Sequence, residues 1–192
     1  PMPRRGAGVA RGGAAHWLTL PIRHDFGAAI SEIVLAREDW ARAHRDTLRQ
    51  AYAKAAHFMT VWPEIEHWLG QARGGLAAVN GYLVRAIAER LALRPRIVAS
   101  SDLAIAASSA DERLVGIVAS LAPGGTYLSG AGGANYQSEA LFRAHGIGLV
   151  YSSFKPAAYA RSGDPFLPGL SIVDAVFHLG WEETAALIRP AA

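Results

Sequence analysis

Apolar residues recur along the chain at two different periods, and the changes of period mark its elements. Two short apolar runs bounded by Gly, Pro and charged residues, His16–Ile22 (HWLTLPI) and Ser31–Ala36 (SEIVLA), read as strands joined by the loop Arg23–Ala29 in the manner of a hairpin. From Asp39 the spacing becomes three and four. Trp40, His44, Leu48, Ala51 or Tyr52, and Ala55 predict a helix to about Phe58, with Asp39 as its cap. Pro63 reads as the start of a second short helix, Glu64–Leu69. Beyond the breaker Gly70–Gly75, the residues Leu76, Val79, Leu83, Ile87 and Leu91 predict a helix over Leu76–Leu93, closed by Pro95.

Helix and strand then alternate. Arg96–Ala99 (RIVA) reads as a strand ending in Ser100-Ser101-Asp102, and Ser109-x-x-Glu112 is a capping box that starts a helix near Asp111, stopped by Pro123-Gly124-Gly125. Thr126–Ser129 reads as a strand, Gly130–Ala134 as a glycine-rich turn, Tyr136–Ala144 as a helix and Ile147–Ser152 as a strand. Lys155–Gly169 reads as a long loop, after which Ser171-x-x-Asp174 caps a terminal helix running through Phe177 toward Ile188. The alternation predicts the α/β class: a single domain with a mostly parallel small sheet and helical crossovers, and an N-terminal strand pair followed by helices. Pro1–Gly13 is expected to be a flexible lead.

Composition narrows the classes. With 192 residues, 51% of them apolar, the chain is expected to form one domain around one core. The 18% charged fraction is that of an ordinary globular chain and not of a disordered one. No segment approaches the roughly 18 consecutive apolar residues of a spanning helix, because Asn80, Arg85, Glu89 and Arg90 interrupt even Leu76–Leu93. The absence of cysteine excludes a disulfide framework and thiolate chemistry, and no apolar export core is visible, so the cytoplasm is the expected location. The formal charge of +3 comes from 17 Arg and 2 Lys against 16 acids. Apart from Arg4, Arg5 and Arg11 there is no basic run interleaved with aromatics, which argues against a nucleic-acid groove.

Candidate chemistry gathers at three places. In Thr126–Tyr136 (TYLSGAGGANY) a strand passes through glycines into a helix, an arrangement that presents backbone N–H groups to a phosphate or carboxylate. Gly130, Gly132 and Gly133 would line the turn, with the Ser129 hydroxyl as a further donor and Tyr136 beside it. The run matches neither the P-loop nor the dinucleotide spacing, and a purely structural glycine turn explains the same residues. Ser100, Ser101 and Asp102 follow a predicted strand as Ser129-Gly130 do, so both loops are expected on the carboxyl edge of one sheet, where such sheets bind ligands. Ser and Asp closing a turn is the bland reading there. His44, one helical turn after Trp40, is placed as a general acid or base would be, against the alternative of a half-buried polar contact. No HExxH occurs and there is no cysteine, which argues against a metal site; no GxSxG occurs either. The residues name no cofactor. Ser171 and Asp174 are explained by capping.

Taken in order, these residues resemble the WbqC-like protein family over about Trp17 to Gly180. The resemblance rests on Trp17–Ile22, Trp40, His44, Tyr52, Phe58, Asn80, Ser100-Ser101-Asp102 and Arg113-Leu114. It continues through Tyr127–Gly130, Tyr136, Phe142, Gly146-Ile147, Tyr159, Phe166 and Leu170–Asp174, with Phe177 and Gly180. Two departures stand out: the family's usual opening, of the type QPxYLPWxGYF, is expected to be absent, and Arg161 stands where the family tends to have Gln. The resemblance implies a biosynthetic transferase that moves an acyl or aminoacyl group onto an amine of a nucleotide-activated sugar or other small metabolite, and the expected partner is a small-molecule substrate that is anionic. His44 or Asp102 would then take the amine proton, and the Ser129-Gly130 backbone would hold the oxyanion. A non-catalytic ligand-binding or scaffolding protein of the same kind of pathway is the alternative. Nucleic-acid binding through Arg4, Arg5 and Arg11 is a third reading.

Overall fold

In chain order the α-helices and strands are β1 (Ala7–Arg11), β2 (Ala14–Leu18), β3 (Ile22–Arg23), β4 (Val34–Leu35), α1 (Trp40–Tyr52), α2 (Phe58–Gln71), α3 (Leu76–Arg90), α4 (Ala110–Leu121), β5 (Thr126–Ser129), α5 (Glu139–Ala144), β6 (Gly148–Tyr151) and α6 (Ile172–Ile188). The computed structural model describes residues 7–11, 13–23, 27–155, 157–162 and 165–189. Arg4, Arg5 and the side chain of Arg11, on which a nucleic-acid role depends, lie outside the described residues, as does the middle of the loop Arg23–Ala29. The mixed α/β class holds, with small sheets. Contacts gather into two units, one formed by Pro1–Arg96 with Pro156–Ala192 and the other by Ile97–Lys155.

In the first unit, Trp40, His44, Leu48 and Tyr52 stand four residues apart and form one stripe along α1, whose buried members are Trp40, Leu48 and Tyr52. α2 buries Val61, Trp62, Ile65 and Leu69 on the same principle. These residues, with Val79 of α3 and Val176, Phe177 and Trp181 of α6, make the main hydrophobic cluster. Phe177 is stacked on Tyr52 at 4.6 Å and on Phe58 at 5.8 Å between ring centroids. Gly180, with φ 78° and ψ 175°, breaks α6 into two helical pieces. The break leaves the Phe177 carbonyl open to the His57 N–H, which donates to it at 3.0 Å. A Cβ at Gly180 would lie 2.8 Å from His57 Nδ1, so both conformation and space require glycine there.

Several boundaries differ from the sequence reading. His16–Leu18 does not pair forward with Ser31–Ala36. It belongs to β2, which pairs antiparallel with β1 from Ala7↔Leu18 to Arg11↔Ala14. Ala7–Arg11 is therefore a strand and not part of a flexible lead; its Val9 is fully buried in the main cluster, which is the force that holds it. Only Ile22↔Leu35 and Arg23↔Val34 remain of the expected hairpin, and Ile30–Glu32 is a 3-10 turn. Pro63 sits inside α2 instead of starting a helix.

The second unit has its own small cluster, Val115, Phe142 and Ile147, where one core for the whole chain was expected. β5 and β6 pair in parallel from Thr126↔Gly148 to Ser129↔Tyr151, with α5 in the crossover. α5 ends in a Schellman motif: the Ile147 N–H reaches the Phe142 carbonyl at 3.0 Å, the Gly146 N–H reaches that of Arg143 at 3.0 Å, and Gly146 takes φ 68°. Half of the capping box on α4 forms, the Ser109 hydroxyl accepting from the Glu112 N–H at 3.2 Å, while the Glu112 carboxylate accepts from the Ser108 N–H at 2.8 Å and not from that of Ser109. Arg96–Ala99 forms no strand. Among the described residues no third strand lies beside the β5–β6 pair, so a short extended segment there has no ladder to join.

Candidate functional site

The stripe on α1 places Trp40 and His44 in the wall of a cleft of about 450 Å3 in the first unit. Leu20, Leu48, Ile65, Leu83 and Ile87 make it apolar, while Asn80 and Ser171 bring polar groups to its lining. The His44 ring meets Trp40 edge-on, with centroids 5.3 Å apart at 79°. His44 Nε2 lies 3.2 Å from the Thr19 carbonyl. A carbonyl only accepts, so in the neutral ring Nε2 carries the proton and Nδ1 keeps its lone pair. Burial pushes the His44 pKa below its usual value, and the Thr19 carbonyl opposes that shift without reversing it. The residue is therefore neutral at pH 7, the form that can take a proton.

A second, polar groove of about 890 Å3 also has Trp40 in its lining, together with Arg37, Arg42, Arg45, Arg73, Glu38 and Asp39. Asp39 stands at the N-cap of α1 but makes no capping bond. Its carboxylate instead accepts from Arg37 Nε at 2.8 Å and Nη2 at 2.6 Å, and that pairing holds the Asp39 pKa below its usual value. Arg42, Arg45 and Arg73 make no ion pair among the described residues. A smaller recess lined by Thr19, Arg37, Asp39, Trp40 and His44 shares walls with both.

The remaining sequence candidates belong to the second unit. Ser100–Asp102 is an exposed 3-10 turn that follows no strand, so the expected common sheet edge with Ser129-Gly130 does not form. Within it the Asp102 N–H donates to the Ala99 carbonyl at 3.0 Å and the Ser101 hydroxyl faces the Asp102 carboxylate at 3.4 Å. Ser129–Gly130 does end β5, and Ala131–Asn135 continues as a 3-10 turn. Ser129 is buried, whereas Tyr136 is 74% exposed. Positive φ is not what these glycines provide: Gly130 has φ −64°, and neither Gly132 nor Gly133 is among the positive-φ glycines. A Cβ at Gly130 or Gly132 would meet nothing within 4 Å, while one at Gly133 would collide with Ser129 Oγ and Gln137 Oε1. Close approach therefore explains Gly133, and open space surrounds the other two.

Sequence reasoning missed the most elaborate polar cluster. Asp174, read as a first-turn acid, is fully buried. Its Oδ1 accepts from the Tyr52 hydroxyl at 2.9 Å and from Arg161 Nη2 at 3.2 Å; its Oδ2 accepts from the Tyr159 hydroxyl at 2.6 Å and from Arg161 Nε at 3.2 Å. The Ala10 N–H donates to the Tyr52 hydroxyl in turn. Burial and the adjacent carboxylate raise the pKa of both tyrosines, which stay neutral donors. The cluster ties β1, α1 and the segment before α6 to α6. Its signal was present only within the family resemblance, as Tyr52, Tyr159 and Asp174 and as the departure at Arg161, since Tyr52 is far from the others in the chain. Among the described residues no group of three or more His, Asp or Glu side chains is placed to hold a metal ion, and no helix is long and apolar enough to cross a membrane.

Fold and cleft together define a mixed α/β protein with a half-open apolar cleft beside a neutral histidine. The model of the WbqC-like protein family matches residues 8–186, and the chain belongs to that family. It is also similar to the uncharacterized protein Rv1507c of Mycobacterium tuberculosis, with 29% identity over 174 residues covering 86% of this chain and 73% of the relative. No solved structure matches.

Proposed function

We propose that the chain is a cytoplasmic biosynthetic transferase that moves an acyl or aminoacyl group onto the amine of a nucleotide-activated sugar or other small metabolite. The observation that carries this reading is the apolar cleft walled by Trp40 and His44. Its volume of about 450 Å3 lies in the range of small-molecule sites, and its lining suits an acyl chain with a few polar anchors. In the transfer the amine nitrogen attacks the acyl carbon, a C–N bond forms and the bond to the leaving group breaks. His44 Nδ1 takes the amine proton and returns it to the leaving group. Asp102 is proposed as a further proton acceptor. Ser100, Ser101, Ser129, Gly130, Gly132, Gly133 and Tyr136 are proposed as contacts to an anionic substrate group.

The test is a panel of acyl thioester donors offered with amino-sugar nucleotides, scored for amide product. His44→Gln is expected to lower turnover about 100-fold or more with the melting temperature within a few degrees. Asp102→Ala is expected to act in the same direction. Undiminished turnover by His44→Gln removes the proposed base. A non-catalytic ligand-binding role is the second reading, favoured by the dispersal of the other candidates into an exposed turn and a buried serine. It predicts that ligands bind in the cleft while no donor and acceptor pair gives product.

A further inference from the structure

The polar groove beside Trp40 has the makings of an anion site from three separate sources. Arg42 and Arg45 come from α1 and Arg73 from the segment between α2 and α3, and none of them is neutralised by an ion pair among the described residues. Arg37 and Asp39 largely satisfy each other. Two helices also begin at this groove, α1 at Asp39-Trp40 and α3 at Gly75-Leu76, and neither N-cap makes a side-chain capping bond. The Leu76 N–H at the start of α3 is taken by the Ile33 carbonyl at 2.9 Å, so the helices contribute through their positive ends, which join three guanidinium groups that outnumber the one carboxylate, Glu38, not engaged by Arg37. Guanidinium forks match phosphate oxygens in pairs. Trp40 belongs to both the groove and the apolar cleft, and the recess containing Arg37 and His44 borders both.

We propose that the groove is a phosphate-binding site, and that the acyl donor is an organic diphosphate ester whose phosphates lie against Arg42, Arg45 and Arg73 while its acyl chain passes Trp40 into the apolar cleft. The second half rests on the transferase reading above; the first half does not.

Equilibrium calorimetry on the full chain, with no acceptor present, separates the parts. Inorganic pyrophosphate is expected to bind, and to bind at least tenfold more weakly to the Arg42→Ala/Arg45→Ala double variant and to Arg73→Ala, which changes a separate segment. Leu83→Trp, which fills the cleft, is expected to leave pyrophosphate binding unchanged. Octanoyl-coenzyme A is expected to be weakened tenfold or more by both kinds of variant. Thermal melts of each variant show that it is folded. Pyrophosphate affinity that is indifferent to all three arginines overturns the phosphate site. Octanoyl-coenzyme A affinity that is indifferent to Leu83→Trp overturns the donor assignment, as does a uridine diphosphate sugar that displaces pyrophosphate where octanoyl-coenzyme A does not. Arginine-dependent binding to phosphatidylglycerol vesicles without binding of either soluble ligand overturns the proposal in favour of a lipid surface. Absence of product with these binding results intact refutes the transferase reading and leaves the phosphate site standing.

Discussion

The two units bury apolar surface on different scales. In the first, four helices and β1 close over a cluster that includes the fully buried Tyr52, Val61, Val79 and Phe177. In the second, Val115, Phe142 and Ile147 are the whole buried cluster, and the cross-strand pair Leu128↔Val150 stands 66% and 51% exposed. Phe154 at 62% adds to that apolar surface. A unit with so small an interior depends more on hydrogen bonds, most of them local: the Ser109 and Ser138 caps and the Schellman turn at Gly146, with one longer link in the Asp111 carboxylate accepting from the Ser138 N–H at 2.8 Å. The difference teaches that depth of packing governs the first unit and chain-local hydrogen bonding governs much of the second.

The comparison is broken most strongly by removing one aromatic ring from each side. Phe177→Ala deletes a fully buried ring held between two others and is expected to cost about 3–5 kcal/mol, read from denaturant unfolding. Phe142→Ala, equally buried, is expected to act locally: amide exchange should rise across Ile97–Lys155 while the protection of α1, α2 and α6 stays. Equal loss of protection in both units would show that they unfold as one.

Next in size is the buried carboxylate. Asp174→Asn leaves the Arg161 guanidinium, 2% exposed, without its countercharge, and is expected to cost about 3–5 kcal/mol. Adding Arg161→Gln, the residue that the family resemblance leads one to expect there, is expected to recover more than half of that loss. A double-mutant cycle showing no coupling between the two positions refutes the assigned pair.

These two cases also show what was legible in the sequence. β5 at Thr126–Ser129 and the Ser109 cap were read with their observed bounds because their signals are local: an apolar run between breakers, and an oxygen three residues ahead of an N–H. Asp174 was misread for the same reason, since capping is a sufficient local account and Tyr52 lies 122 residues away. Arg96–Ala99 has strand composition, but a strand is a property of two segments, and its partner is missing from the β5–β6 pair. Trp40 and His44 were found as a pair, while the cleft they face was not, because its other walls come from β2, α2, α3 and the start of α6.

Smaller effects sharpen the picture at the glycine turn and at His44. Gly133→Ala is expected to cost about 1–3 kcal/mol through collision with Ser129 and Gln137, whereas Gly132→Ala should fall within about 0.5 kcal/mol of the parent. Equal melting temperatures for the two variants would mean that Ser129 and Gln137 move aside freely. For His44 the sign follows from burial. The folded pKa lies below 6.5, so the unfolded chain binds the proton more tightly and stability falls as pH drops below about 6.5 toward the folded value. Melting curves between pH 7 and 5 should therefore be less pH-dependent in His44→Gln, and an imidazole titration midpoint above 6.5 would contradict the burial argument.

The order of segments along the polypeptide has a consequence for synthesis. The second unit is encoded without interruption, and its helices and strands touch neighbours close in the chain, so it can finish folding as soon as Lys155 has left the ribosome. The first unit is made in two instalments, and the cluster begun by α1 and α2 stays open until Val176, Phe177 and Trp181 arrive with α6. Nascent chains in which Lys155 has left the ribosome and α6 has not would thus carry a finished insert on an unfinished host, with Trp62 and Val61 exposed to chaperones until the final helix emerges.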